Sequence, residues 1–141
     1  MTDFLCGGMG QFDWMCARIV YKLKSQYPDI HSYLVIPYLS FTILEKEYFD
    51  SIVYPEGFEK YHFKAAIPAR NRYLVDNSKY ALCYVTHGWG GAAQSFERAK
   101  KKELVIVNLG NYDMTDNKLQ ELAMFYLIFA AFYCIFKWFV L

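Results

Sequence analysis

FLCGGMGQFDWMCARIVYKLK, residues 4–24, decides the fold. Phe4–Cys6 is a short apolar run that breaks into Gly7-Gly8-Met9-Gly10. Phe12, Met15, Cys16, Ile19, Val20 and Leu23 then recur at helical spacing. The stretch reads as strand, glycine turn, helix. The same order returns further on. Ala81–Val85 is an apolar strand and Thr86-His87-Gly88-Trp89-Gly90-Gly91 a glycine turn. Ala92–Lys102 is a helix ending in three lysines, cations where a helix C-terminus favours them.

Other segments fill in around these two units. SYLVIP (32–37) and ELVIVNL (103–109) are predicted strands. Lys64–Val75 is predicted as helical from Pro68 onward, because Pro suits a first helical turn. Residues 38–60 are mixed and aromatic, and read as a loop with a short helix. Apolar strands alternating with helices predict an α/β fold, with a mostly parallel sheet covered on both faces as three α/β/α layers. Residues 1–112 form this domain, and 141 residues suffice to bury its core without staples.

Composition excludes several classes. With 55% hydrophobic and 21% charged residues the chain is not disordered. A formal net charge of +1 argues against a broad electrostatic grip on nucleic acid. Cys6, Cys16, Cys83 and Cys134 form no CxxC pair, so no zinc or other metal site is expected. MTDFLCGGMG lacks a basic segment followed by an apolar one, so it does not read as a secretory signal. The expected compartment is the cytoplasm, with the thiols reduced and acting as small hydrophobes.

The last segment stands apart. Leu122–Leu141 runs for twenty positions with one charge, Lys137, and is apolar all round. Residues 117–141 are predicted as a hydrophobic C-terminal helix. Twenty helical residues span about 30 Å, the thickness of a bilayer core. Three readings stay open for 122–141: a membrane tail anchoring the domain, the core of a homo-oligomer, or a helix laid along the sheet.

Two glycine turns where strands feed helices mark the edge at which open parallel sheets bind ligands. Backbone N–H groups at a helix N-terminus attract phosphate, and glycine lets an anion approach the main chain. Ile67-Pro68-Ala69-Arg70-Asn71-Arg72 adds a guanidinium fork suited to phosphate and an amide suited to a ribose hydroxyl. Each element alone also fits a structural turn or a solvated helix start. His87 reads as a phosphate donor or a surface residue, and Trp89 as a base-stacking platform or a cap on the sheet.

KAAIPARNRYLVDNSKYALCYVTHGWGGAAQSFERAKKKELVIVNL (64–109) resembles the SLOG superfamily, most closely its YpsA-type members. Residues 4–24 resemble their first glycine turn with its Asp-bearing helix. The Arg-Asn-Arg block followed by a strand is also similar to the DNA-processing protein DprA. GWGGAAQSFE is similar to the phosphate loop of the LOG-type phosphoribohydrolases. The resemblance implies a Rossmann-like domain that binds a nucleotide-derived small molecule such as AMP or ADP-ribose, with no further cofactor. By position, Gly7, Gly8 and Gly10 form one loop with Asp13 nearby, and Arg70 and Asn71 form a second contact. Gly88, Gly90 and Gly91 form the phosphate loop, and Glu97 falls where the LOG-type enzymes keep a catalytic glutamate. Two departures matter. Related domains begin with a further, central strand bearing a Thr-Gly-His-Arg-like segment, whereas this chain starts at what would be their second. The LOG-type Pro-Gly-Gly-x-Gly-Thr is here Gly90-Gly91-Ala92-Ala93-Gln94. The expected function is therefore a nucleotide sensor or regulatory module. The alternatives are a nucleoside-monophosphate phosphoribohydrolase using Glu97 and a DNA-binding relative of DprA.

Overall fold

The computed structural model describes residues 2–111, 114–133 and 137–140, and beyond residue 130 the backbone alone. The chain is α/β, with a sheet whose paired strands are all parallel. The strands are β1 (Thr2–Cys6), β2 (Ile30–Val35), β3 (Ser51–Val53), β4 (Tyr80–Cys83), β5 (Val105–Asn108) and β6 (Lys137–Val140). The helices are α1 (Gln11–Leu23), α2 (Phe63–Asp76), α3 (Gly90–Lys101) and α4 (Asp116–Tyr133). The order across the sheet is β3-β2-β1-β6-β4-β5.

Successive strand residues face opposite ways, and the core divides accordingly. Phe4, Cys6, Leu34 and Leu82 join one buried cluster with Cys16 and Val20 of α1 and Leu119, Ala123 and Leu127 of α4. Leu5, Val35, Ala81 and Cys83 join a second with Leu74 and Val75 of α2 and Ala93 and Ala99 of α3. Burial raises the thiols of Cys6 and Cys16 far above the ordinary range and that of Cys83 to about 12. These cysteines are core hydrophobes and not nucleophiles. Cys134 lies outside the described residues.

Three expectations are corrected. The apolar tail is not one helix over 117–141: α4 ends at Tyr133, and Lys137–Val140 is a strand. That strand lies between β1 and β4, with Leu5 opposite Phe139 and Phe139 opposite Ala81. Among the described residues no helix is long and apolar enough to cross a membrane. Pro68 lies inside α2, which begins at Phe63, so the Lys64 carbonyl loses its usual intrahelical donor. The stretch 38–60 carries strand β3 between two short 3-10 turns. A polar knot holds it in place. Lys24 Nζ donates to Ser32 Oγ and the Tyr48 carbonyl and pairs with Asp50 at 2.8 Å. Asp50 also accepts from the Ser32 N–H.

Candidate functional site

Both glycine turns lie at the carboxyl edge of the sheet, after β1 and β4. Gly8 (φ 69) and Gly90 (φ 86) are left-handed, a conformation that β-carbons disfavour. Asn108 pins the root of the second loop. Its amide accepts from the Val85 N–H at 2.9 Å and donates to the Val85 carbonyl at 3.1 Å. The loops approach one another through Phe12 in the first turn of α1 and Tyr84 after β4, with ring centroids 5.8 Å apart.

Arg70 does not present its fork to solvent. It is 3% exposed, and its Nη1 donates to the carbonyls of Gly7 and Val35. Nε donates to Asn71 Oδ1, and Nη2 meets Met9 Sδ. A β-carbon at Gly7 would stand 2.7 Å from Nη1, so only glycine allows this approach. Burial lowers the guanidinium pKa, and the nearby Asp13 and Tyr38 oppose that. Arg70 therefore acts as a clamp on the first loop.

Asp13 sits beneath that loop. Burial pushes its carboxyl up to about 6, against Arg70 and the backbone N–H groups of Met9, Gly7 and Gly8. Its Oδ1 is buried and has no hydrogen-bond partner. The amides of the first loop thus face the chain's own carboxyl group. Gly10 is extended and caps α1 without a side-chain bond.

The second loop is differently equipped. Like α1, α3 has no side-chain cap where it follows Trp89, so its first N–H groups are available, and no carboxylate lines the cavity on which they open. Trp89 is 72% exposed and stacks on His87 with centroids 4.0 Å apart and planes 10° apart. His87 Nδ1 lies 2.9 Å from the Trp89 carbonyl. Asn71 Nδ2 would be 3.3 Å from a β-carbon at Gly91, so α2 and the start of α3 nearly touch there. A cavity of about 490 Å³ opens between the two helices, lined among others by Lys64, Asn71, Arg72, Gly91, Gln94 and Arg98.

The structure thus brings Gly7, Asp13, Arg70, Asn71, Gly90 and Gly91 into one connected region. Glu97 lies apart. It is exposed, pairs with Lys100 at 3.3 Å, and lines a neighbouring cavity of about 440 Å³ with Gly88. Sequence reasoning does not single out Lys64 and Arg98, and takes Gln94 only as a departure from the LOG-type loop. Their signal was periodic: 64, 68, 71 and 72 share one face of a helix, as do 91, 94, 95 and 98. Among the described residues no group of three or more His, Cys, Asp or Glu could hold a metal ion. No protein-family model, curated protein or solved structure matches the chain.

Proposed function

We propose that this protein is a nucleotide-binding module of the SLOG type, YpsA-like in its motifs, acting as a sensor or regulator. On this reading the sheet is the centre of a Rossmann-like three-layer domain. One observation carries it. The loop after β1 feeds α1 into one core cluster, and the loop after β4 feeds α3 into the other. In open parallel sheets the crevice between two such loops is where ligands bind. Here α2 serves both loops, Arg70 holding Gly7 while Asn71 abuts Gly91. The ligand phosphate belongs at the second loop, where the α3 N–H groups are uncapped, and a base has the open face of Trp89. Glu97 is exposed and paired with Lys100, which favours a binding role over base cleavage.

Gly91→Val is the decisive variant. A branched side chain there blocks the approach of an anion and crowds Asn71. Calorimetric titration with AMP, ADP-ribose and NAD should give binding to the wild type, weakened at least tenfold in Gly91→Val. Absence of binding to all three in the wild type would defeat the nucleotide reading.

A further inference from the structure

The near-neutral total charge conceals a strong segregation. Residues 60–103, which span α2, β4 and α3, carry nine of the 15 Lys and Arg and three of the 14 Asp and Glu. Of those three acids, Glu97 pairs with Lys100, and Asp76 pairs with Arg98 and Lys102. Asp76 takes Nε and Nη2 of Arg98 at 2.8 Å each, which fixes the guanidinium beside the groove between α2 and α3. Lys64 and Arg72 line the same groove from α2, and among the described residues neither has an acidic partner. No acidic residue lines it. The uncapped start of α3 at Gly90 and Gly91 also lines it.

We propose that this groove holds the phosphate chain of a nucleoside di- or triphosphate, which rests on the nucleotide reading above. The phosphate nearest the sugar meets the α3 N-terminus. The phosphates beyond it run between the helices, against Lys64 and Arg72. Three features support a chain over a single phosphate. The volume of about 490 Å³ lies in the range of small-molecule sites and exceeds what one phosphate fills. The cations come from both helices, Lys64 and Arg72 from α2 and Arg98 from α3. The two cations without an acidic partner break no ion pair when an anion arrives. The ligand class is thereby narrowed away from AMP.

Titrating the full chain at low salt with AMP, ADP, ATP and inorganic tripolyphosphate tests this, alongside Lys64→Ala/Arg72→Ala and Arg72→Glu. Both residues are exposed, and thermal melts check that the variants stay folded. ATP should bind the wild type at least tenfold more tightly than AMP. The double variant should bring that ratio near one while AMP affinity changes less than threefold, and Arg72→Glu should reduce ATP binding more than AMP binding. A wild-type ratio near one, or a ratio the variants leave unchanged, overturns the proposal even where AMP binds. If no nucleotide binds, the nucleotide reading falls with the proposal. Tripolyphosphate binding that is lost in the double variant would then show a phosphate-chain groove without nucleotide recognition, a different site from the one proposed.

Discussion

A single arginine reverses the obvious interpretation of its motif. Arg-Asn-Arg invites a phosphate fork, yet Arg70 is spent on two backbone carbonyls, one of them 63 residues away in sequence. No local pattern announces a partner that distant, and this is why the sequence marks out Arg70 but not its structural role. Removing a buried charged donor strands both carbonyls and leaves Asp13 without its nearest cation. Arg70→Ala should therefore cost about 3–5 kcal/mol of stability. Arg70→Lys should recover part of that loss, since an ammonium keeps the charge but not the planar fork. Urea denaturation midpoints of the two variants and the wild type measure both effects. An Arg70→Ala protein as stable as the wild type would show that the guanidinium is not a clamp.

Among the elements, α4 and β6 differ most from expectation. The apolar strands β1, β2, β4 and β5 were legible because each short hydrophobic run ends in a turn signal. The run from 122 to 141 carries no such punctuation, so periodicity cannot separate a buried helix from a following strand. Strand β3 is three residues long inside a mixed segment, too short to show alternation. Packing explains one apolar side of α4, whereas Phe125 and Phe129 on another side stay 62% and 49% exposed. Leu119, Ala123, Leu127 and Ala130 are buried in the cluster that includes α1. Strand β6, moreover, is hydrogen-bonded on both edges. A chain ending at residue 115 would leave β1 and β4 unpaired on their facing edges. It should lose cooperative thermal unfolding and bind a hydrophobic dye. Within the full chain, Leu127→Ala should cost about 2–5 kcal/mol. If instead the shortened chain melts cooperatively near the full-length midpoint, α4 and β6 are an appendage, as a membrane anchor would be.

For the molecule as a whole, three carboxylates of opposite tendency shape the acid side of its stability. Asp13, raised to about 6 from 3.8, binds more protons folded than unfolded across that interval. Stability therefore falls as pH rises through it, by up to about 3 kcal/mol if the whole shift is expressed. Asp76 is held low by hydrogen bonds from Arg98, against burial, with help from Lys102. Burial raises Asp50, but hydrogen bonds from Lys24 and the Ser32 N–H outweigh it and hold that carboxyl low as well. Stability from these two is present above the unfolded carboxylate pKa and lost as pH falls through their folded values. Together the three groups give a maximum near pH 4, with decline on either side. Asp13→Asn removes the upper decline alone. Its stability relative to the wild type should rise between pH 4 and pH 7 and stay level above that. Asp76→Asn should show the opposite dependence, its deficit shrinking as pH drops below 4. Urea titrations at pH 3, 4, 5, 6 and 7 separate the two variants. A difference between Asp13→Asn and the wild type that does not vary with pH would mean that the buried carboxyl keeps its ordinary pKa and that burial beneath the first glycine loop does not raise it.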